Sequence, residues 1–447
     1  MEKLPDDFIN QMRELLKEDG LKDYLKSFEN NSVKGLRVNL DKISLQDFLK
    51  VYDEKDLKPI PYFDNSFYSN KEKIGNNILH QIGCYYSQEP SSMVPVSLLT
   101  SYNLKDAKVL DLCASPGGKS LQISTLVGEN GLIVSNEIVH SRARILQSNI
   151  ERLGKRNFIV LNDTPLNIAN NLYVVFDVVI VDAPCSGEGM FRKDKNSIKE
   201  WSKEGVHSNA FRQRQIIECA DKCLKSGGLL LYSTCTYSKL ENEDNVEYIE
   251  SLGYEVLPVD DKVKSVARIS MFKENTCRCF PCYMKGEGQF CALLRKKRDS
   301  AEYKNNKKIS YLNSKIAEQF IKDNMNIDFD YNLEMVGNYI CIAPKNNINT
   351  SGLKVMLKGV ILGELVKNRL EPHHQLFSSM GKYFKIKLEL KDDENSLKKY
   401  LKGEQLSFDK PNGYGVISYY GAYVGGFKSV NGDLKNLYPK GLRIDIK

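Results

Sequence analysis

The stretch VLDLCASPGGKS, residues 109–120, joins an apolar run to a helical pattern through a turn with two adjacent glycines. Glycine at such a turn lets the backbone approach a ligand, and the following helix offers its N-terminal amides. A triphosphate-binding loop would need glycine five places before Gly118, where the chain has Cys113, and the dinucleotide pattern G-x-G-x-x-G is also absent. The stretch therefore predicts a ligand-binding turn of another kind.

Apolar, strand-like runs alternate with helix-like patterns around this turn. The runs lie at residues 109–112, 132–138, 158–163, 176–184 and 229–235. Such alternation is typical of a doubly wound α/β sheet with parallel strands. Ligands of these sheets bind at the carboxyl ends of the strands, so side chains that directly follow the runs become candidate site residues.

Segments outside this pattern predict further domains, because 447 residues exceed the usual size of one domain. A helical pattern at 5–28 and a strand-like run at 34–40 precede the alternating part. A Lys-, Arg- and Asn-rich segment at 295–308 is the clearest linker, and Gly- and Tyr-rich short strands lie beyond it. We expect an α+β N-terminal region (1–95), a central α/β domain (96–298) and a mostly β accessory region (299–447).

Composition places few limits on the partner. The chain has 64 basic and 57 acidic residues, a net charge of +7 and a pI near 8.6, which permits a polyanionic partner without requiring one. Its 11 cysteines follow no regular spacing, and we find neither a signal peptide nor an apolar run of about 18 residues. We therefore expect a cytoplasmic protein with reduced thiols and no membrane span.

Three carboxylates follow neighbouring strands of the predicted sheet. Asp111 ends the first run, Glu137 lies 26 positions later in the second, and Asp163 ends the third. A carboxylate after the second strand can bind both hydroxyls of a ribose, and Asp163 could receive an adenine amino group. Together they predict a nucleoside cofactor without a diphosphate, and S-adenosylmethionine fits. Each carboxylate alone could equally be a helix N-cap.

Two cysteines, Cys185 and Cys235, each follow a strand at the same predicted edge. A lone cysteine is usually a small buried apolar side chain, but two at one edge favour chemistry. A thiolate suits methylation of a pyrimidine at carbon 5, because its addition to carbon 6 makes carbon 5 nucleophilic. Asp182 could then stabilise or protonate ring nitrogen 3, after which a base removes the carbon 5 proton. The residues alone leave open which thiol attacks.

Six ordered motifs resemble those of the RNA cytosine-5 methyltransferases. They span about residues 34–294 and are KGLRVNL, DLCASPGGKS, NEIVHSRA, VDAPCSGEGMFRKD, SGGLLLYSTCTYSKLENEDNV and MKGEGQF. The C-terminal sequences LGELVKNRLEPHHQL, YLKGEQLSF and LKNLYPKGLRI resemble the bacterial RsmF (YebU-like) branch, which methylates 16S ribosomal RNA. The resemblance implies a Rossmann-like class I methyltransferase core, a small α+β N-terminal domain and a mostly β, PUA-like RNA-binding C-terminal domain.

The resemblance also implies residue roles and S-adenosylmethionine as the cofactor. Cys235 matches the nucleophile, Cys185 a cysteine that assists release of the adduct, and Asp182 a residue that contacts the base. Lys119 matches a lysine that reaches the Asp182 carboxylate. The positions that match cofactor contacts are Cys113, Ala114, Ser115, Pro116, Gly117, Gly118, Lys119, Glu137, Arg142, Asp163 and Asp182.

The partner implied by the resemblance is RNA, and the leading substrate is 16S ribosomal RNA or the small ribosomal subunit. The resemblance also implies a monomeric, cytoplasmic enzyme that binds neither a membrane nor a metal. The same chemistry on transfer RNA or another ribosomal site stays open. A non-catalytic ribosome-assembly factor is a further alternative, although the intact Asp182, Cys185 and Cys235 argue against it. A DNA methyltransferase is disfavoured by the Thr-Cys motif and the PUA-like tail.

Basic and aromatic residues supply a candidate RNA footprint, because a stacked base must be extracted before it is methylated. Individually such charges are usually solvated, and alternating tyrosines are usually core or cross-strand pairs. The candidates are Lys34, Arg37, Arg192, Lys193, residues 295–298, Lys435, Lys440, Arg443, Tyr414, Tyr419, Tyr420 and Tyr423.

One motif departs from the family pattern. The family commonly has Arg-x-x-Pro-His before its Gly-Glu-Gly element, and this chain has RCFPC, with Cys282 where histidine is expected. The spacing of Cys277, Cys279 and Cys282 could also be half of a metal site, but a second ligand pair at metal spacing is missing. We therefore expect structural thiols.

Overall fold

This computed structural model describes residues 3–53, 57–71, 73–299 and 308–443. The first part of the fold is an N-terminal α+β unit. Its antiparallel sheet has the strand order β2-β3-β1-β4. The elements are α1 (Asp6–Lys26), β1 (Lys34–Val38), α2 (Leu45–Val51), β2 (Lys58–Pro59), β3 (Ser66–Ser69), α3 (Ile78–Gln81) and β4 (Tyr85–Gln88). Phe8 and Met12 before a kink at Lys17, and Leu21 after it, are buried in one apolar cluster.

The central domain is a Rossmann-like α/β layer structure, which confirms the predicted fold class. Its strands are β5 (Lys108–Asp111), β6 (Leu132–Asn136), β7 (Phe158–Leu161), β8 (Phe176–Asp182), β9 (Leu224–Thr234), β10 (Tyr254–Val256), β11 (Arg268–Ile269), β12 (Thr276–Cys279) and β13 (Gln289–Lys296). Its helices are α4 (Val94–Ser97), α5 (Gly118–Val127), α6 (His140–Arg152), α7 (Pro165–Asn171), α8 (Lys195–Glu200), α9 (Lys203–Cys223), α10 (Glu243–Ser251) and α11 (Asp261–Lys264).

Five of these strands are parallel, in the order β9-β8-β5-β6-β7. Successive strand side chains point to opposite faces, so Val109 joins the apolar cluster on one side of the sheet and Leu110 the cluster on the other. Because β5, β8 and β9 are parallel, the site residues at their carboxyl ends lie at the same edge of the sheet.

The central sheet is mixed rather than wholly parallel. Strand β13 runs antiparallel to β9, and β12 and β10 run antiparallel to β13. The reason is the chain order: β12 and β13 follow one another through a short loop without the crossover helix that a parallel pair requires. Strand β13 continues to Lys296, so the first residues of the predicted linker belong to the sheet, and residues 300–307 lie outside the described part.

The C-terminal region contains α12 (Lys315–Asn324), β14 (Leu333–Val336), β15 (Tyr339–Ile342), β16 (Val355–Lys358), β17 (Val360–Val366), β18 (Arg369–Pro372), α13 (His374–Met380), β19 (Ile386–Glu389), α14 (Glu394–Lys402), β20 (Leu406–Ser407), β21 (Gly413–Tyr419), β22 (Ala422–Val430) and β23 (Asp433–Asn436). These strands form two small sheets, except that β16 pairs with β7 at the edge of the central sheet. The central sheet thus takes a strand from beyond residue 298. Within the described ranges, we find no helix with the length and apolar character needed to cross a membrane.

Candidate active site

The turn between β5 and α5 holds the predicted cofactor residues Cys113, Ala114, Ser115, Pro116, Gly117, Gly118 and Lys119. Gly117 has φ 112°, and an added Cβ would lie 3.0 Å from Leu146 Cδ1. Glycine is therefore required there by both backbone and space. The turn is tied to α6, because Ser115 Oγ donates to Arg142 O (3.0 Å) and Arg142 Nη2 donates to Ser115 O (3.2 Å).

Two of the predicted carboxylates, Asp111 and Glu137, have different surroundings. Glu137 Oε1 accepts a hydrogen bond from Val139 N (2.9 Å), and Arg142 Nη2 lies 3.4 Å from its Oε2. An ionised carboxylate accepts about four hydrogen bonds, so Glu137 can still bind two hydroxyls. Asp111 is fully buried and accepts from Ser120 Oγ (2.7 Å), and burial raises its pKa to about 7. Asp111 therefore stabilises the segment after the turn through its hydrogen bond with Ser120.

Asp163 is held by its own neighbours. Its Oδ1 accepts from Thr164 N (2.8 Å). Its Oδ2 accepts from Asn167 Nδ2 (2.9 Å) and from Lys354 N (3.0 Å), the residue before β16. Part of its acceptor capacity therefore binds residues at the start of α7 and the residue before β16, and one further bond remains available on Oδ1.

Asp182, at the end of β8, is held between two donors. Lys119 Nζ lies 2.8 Å from Asp182 Oδ2, and Ser233 Oγ donates to Oδ1 (2.7 Å). Burial alone would lower the pKa of Lys119, but the Asp182 carboxylate and its hydrogen bond raise it. The lysine side chain is 9% exposed and the aspartate side chain 33%, so Asp182 is the more accessible member of the pair.

The two cysteines meet at the ends of β8 and β9. Cys185 Sγ and Cys235 Sγ lie 3.2 Å apart although the residues are 50 positions apart in the chain. The hydrogen bond with Cys235 and burial raise the pKa of Cys185 well above that of a free thiol. Cys185 therefore keeps its proton at neutral pH.

A buried carboxylate, Glu241, joins the two cysteine loops, and our sequence analysis missed it. Its oxygens accept from Ser186 N (3.0 Å) and Ser186 Oγ, and that hydroxyl also contacts Thr236 Oγ1 (2.7 Å). Gln213 on α9 donates to both Glu241 (3.0 Å) and Pro184 O (2.9 Å). Glu241 thus holds Ser186, the residue after Cys185, and Ser186 in turn contacts Thr236, the residue after Cys235. The only sequence signal was an acidic run within ENED, which carries no spacing rule toward Ser186.

Four segments of the chain match described families. Residues 99–295 match "16S rRNA methyltransferase RsmB/F", and residues 4–90 match the "N-terminal domain of 16S rRNA methyltransferase RsmF". Residues 319–380 and 386–444 match the "RsmF rRNA methyltransferase first C-terminal domain" and the "Methyltransferase RsmF PUA domain". Ribosomal RNA small subunit methyltransferase F of Vibrio vulnificus (strain YJ016) is 31% identical over 464 residues, 98% of this chain and 97% of that protein. The chain belongs to the RsmF family of 16S rRNA methyltransferases.

Other relatives and solved structures agree with this membership. Ribosomal RNA small subunit methyltransferase F of Vibrio cholerae serotype O1 (strain M66-2) is 31% identical, and the match covers 98% of this chain and 97% of that protein. NSun6 from Pyrococcus horikoshii, solved with SFG, has a TM-score of 0.59 at 20% identity over 66% of this chain and 99% of that chain. A methyltransferase homolog from Pyrococcus horikoshii has a TM-score of 0.55 at 27% identity, over 65% of this chain and 95% of that chain. These neighbours support the Rossmann-like core.

Several predicted RNA contacts of this RsmF-family protein are wrong, because the charges are buried. Arg37 is 5% exposed, and it donates to Gln88 Oε1 (2.8 Å) and Gly118 O (3.1 Å). Lys296 is buried and donates to two main-chain carbonyls. Arg192 is nearly buried as well, whereas Lys193 is exposed. Arg37 therefore fastens the N-terminal sheet to the cofactor turn.

The tyrosines and the extra cysteines take structural positions in the RsmF-family fold. Tyr419 and Tyr420 belong to a buried cluster between the N-terminal and C-terminal regions, as the core interpretation expects. Cys277 Sγ lies 3.1 Å from Cys291 Sγ inside the central sheet, and burial raises the pKa of Cys282 to about 11. Among the described residues, no group of three or more His, Cys, Asp or Glu side chains could hold a metal ion.

Replacing Glu241 tests its hold on the two loops. Burial raises the pKa of Glu241 from 4.5 to about 7, so the folded protein prefers the protonated acid and its ionisation costs stability as pH rises through this window. We expect Glu241→Gln to match the wild type in urea unfolding at pH 5 and to exceed it by about 2–3 kcal/mol at pH 8. Glu241→Ala should instead lower stability at both pH values and lower turnover about tenfold or more, because Ser186 loses its partner. If the difference in the free energy of unfolding between Glu241→Gln and wild type were the same at pH 5 and pH 8, this result would contradict a raised pKa of Glu241.

Proposed function

We propose that this RsmF-family protein methylates carbon 5 of a cytosine in 16S ribosomal RNA, with S-adenosylmethionine as the methyl donor and a covalent bond between Cys235 and the base. The observation that carries the proposal is a pair of thiols 3.2 Å apart. Beside them, Lys119 and Ser233 contact the two oxygens of Asp182, whose side chain is partly exposed. Family membership supports ribosomal RNA as the substrate.

The residues at the strand ends fit S-adenosylmethionine. The turn at 113–119 offers a close backbone approach at Gly117, Glu137 has acceptor capacity for the ribose hydroxyls, and Asp163 retains one acceptor position for the adenine amino group. SFG, with which NSun6 from Pyrococcus horikoshii was solved, is an S-adenosylmethionine analogue, and the shared fold supports the same cofactor here. The cofactor supplies the methyl group.

Attack on the base is assigned to Cys235. Cys185 keeps its proton and stabilises a thiolate on Cys235 through the Sγ–Sγ contact. The thiolate forms a bond with carbon 6 of the cytosine, and the electrons of the 5,6 double bond make carbon 5 the nucleophile. Asp182 contacts ring nitrogen 3 and the exocyclic amino group and so orients the base beside Cys235. The positive charge of Lys119 stabilises both anions.

Release of the product is assigned to Cys185. Once Cys235 is a thioether, Cys185 no longer faces a thiolate, and the first cause of its raised pKa disappears. Cys185 then releases its own proton to solvent, and the resulting thiolate takes the carbon 5 proton as a base. The electrons of that C–H bond restore the 5,6 double bond, the carbon 6–sulfur bond breaks, and Cys235 leaves as a thiolate. The contact between the thiols thus controls which of them is ionised at each step.

Replacing Lys119 tests the charge at the centre of this site. We expect Lys119→Met to lower the single-turnover rate of methyl transfer about 100-fold, because Asp182 and the Cys235 thiolate lose their cation. Thermal stability should change by only about 1–2 kcal/mol, since Asp182 is partly solvated. Lys264→Met is the matched control, because this exposed lysine pairs with Asp261 on the same helix turn. Equal rates for the two variants would contradict the role of Lys119.

Bisulfite sequencing of total RNA from cells with and without the gene tests the substrate. We expect the loss of a 5-methylcytosine signal in 16S ribosomal RNA when the gene is absent. Loss confined to transfer RNA or to another ribosomal RNA would overturn the 16S assignment but keep the chemistry. No loss of signal in any RNA would contradict the proposed reaction itself.

A further inference from the structure

A narrow cleft opens between the N-terminal sheet and the catalytic loops. Its volume is about 210 Å³, and its lining includes residues 32–35 at the start of β1, residues 87–89 at the end of β4, Lys73, Lys193 and Glu287. Pockets for drug-sized ligands begin at roughly 300 Å³. This cleft therefore suits one flat ring system and is too small for a larger ligand.

The cleft lies beside the proposed nucleophile. Gly288, next to Glu287, donates through its N–H to Gly189 O (3.0 Å), and Gly189 N donates to Cys235 O (2.8 Å). Added Cβ atoms on either glycine would overlap the other backbone, so these two segments meet closely. On its other side the cleft is bounded by Gln88, which lies against Gly118 of the cofactor turn. A group in the cleft therefore lies near the reacting base without occupying its place.

The lining of the cleft includes Glu287, a buried carboxylate without a hydrogen-bond partner among the described residues. Glu287 is 0% exposed, and neither of its carboxylate oxygens has a hydrogen-bond partner among the described residues. Arg192 Nη1 lies 3.5 Å from Glu287 Oε2, and Arg192 Nε is likewise without a partner in the described part of the chain. A buried polar group without a partner costs about 1–3 kcal/mol. The unused acceptors thus point to a ligand that brings hydrogen-bond donors.

A neighbouring acid shows what a purely structural carboxylate looks like here. Glu89 also lines the cleft, but its oxygens accept from Ser91 N (3.0 Å), Ser92 N (2.9 Å) and Glu287 N (2.9 Å). Its acceptors are therefore used within the protein, whereas those of Glu287 are not.

The rim of the cleft has the opposite charge. Lys73 and Lys193 are exposed at its edge, and Lys34 lines it from β1. Ammonium groups around an opening suit the phosphates of a nucleic acid, while a carboxylate floor rejects phosphate and accepts N–H groups. Burial raises the pKa of Glu287 to about 7, so the carboxylate is ionised above neutral pH and protonated below it.

We propose that Glu287 recognises a guanine that flanks the target cytosine in the RNA. Guanine presents two adjacent donors, the ring N1–H and the 2-amino group, which match the two free oxygens of one carboxylate. Single-stranded RNA exposes this edge when bases are unstacked, as extraction of the target cytosine requires. The rim lysines bind the neighbouring phosphates. This inference rests on the proposed function, since it takes RNA methylation as given.

Flank-randomised substrate tests the inference. The bases within five positions of the methylated cytosine are randomised in 16S transcripts, used both free and reconstituted into small subunits, and bisulfite sequencing reads methylation together with the unaltered guanines. We expect wild type to enrich guanine about tenfold at one flanking position, since a bidentate base contact contributes about 1–3 kcal/mol of discrimination. Glu287→Gln should reduce this enrichment to about twofold or less, because the amide has only one acceptor.

The controls separate recognition from folding and charge. Lys193→Ala should lower methylation of all sequences about evenly, with unchanged guanine enrichment, because phosphate contacts carry no sequence information. Enrichment by wild type should also weaken from pH 8 to pH 6 as Glu287 becomes protonated. Glu287→Ala repeats the test if Glu287→Gln unfolds at lower temperature than wild type.

Two results would overturn the inference. One is absence of guanine enrichment by wild type, and the other is equal enrichment by wild type and Glu287→Gln. Failure of wild type to methylate both the free and the reconstituted substrate would instead contradict the 16S substrate of the proposed function, so the two failures remain distinguishable.

Discussion

Cys235→Ala should abolish methyl transfer, lowering turnover roughly 10⁴-fold or more, and should form no covalent complex with RNA. The reason is that carbon 5 of cytosine becomes nucleophilic only after a thiolate adds to carbon 6. Cys235 Sγ lies 3.2 Å from Cys185 Sγ, and the pKa of Cys185 is raised by this contact and by burial. Transfer of a radiolabelled methyl group and denaturing gel shifts of the RNA measure the two effects.

The control for this variant is Cys282→Ala. Cys282 is half-buried against the apolar cluster around α1, and our sequence analysis expects a structural thiol there. We expect it to retain wild-type turnover. Substantial methyl transfer by Cys235→Ala would refute Cys235 as the nucleophile.

Cys185→Ala should stop turnover and accumulate the covalent protein–RNA complex. In this variant Cys235 can still attack and the methyl group can still be transferred, but no thiol takes the carbon 5 proton. The complex should therefore survive denaturing electrophoresis, at a stoichiometry that approaches one RNA per protein, and contain the transferred methyl group. Wild type should form only a trace of it.

The double variant checks the order of the two thiols. Cys185→Ala combined with Cys235→Ala should form no complex, because the trap requires the attacking sulfur. If Cys235→Ala alone trapped RNA as well as Cys185→Ala does, the two assignments would be reversed.

Local sequence patterns predicted most of the central sheet. Apolar runs became β5 to β9 within a few residues of the expected bounds, because buried parallel strands need continuous apolar side chains on both faces. The turn at Gly117 was also predictable, since a positive φ and close packing both require glycine. The sequence did not predict that β16 pairs antiparallel with β7, because the two strands lie nearly 200 residues apart in the chain. In this pairing Val355 lies opposite Leu161.

Charge was the weakest guide to the surface. Arg37 and Lys296 read as candidate RNA contacts from the sequence, but both are buried and donate to main-chain or amide oxygens. A long basic side chain looks the same in sequence whether it is solvated or pairs with carbonyls inside the fold. Only the tertiary contacts distinguish the two.

The sequence by itself determined the reactive residue types and their edge of the sheet, because Asp182, Cys185 and Cys235 directly follow apolar strands and strand ends in such folds meet at one side. Only the tertiary structure decided the relations among them. The 3.2 Å contact between the thiols and the hydrogen bonds of Glu241 with Ser186 each join segments distant in the chain, and the fold buries the Glu287 carboxylate without a hydrogen-bond partner among the described residues. The physical reason is that hydrogen bonding, burial and charge depend on distances of a few ångströms, which parallel strand packing sets and residue spacing does not.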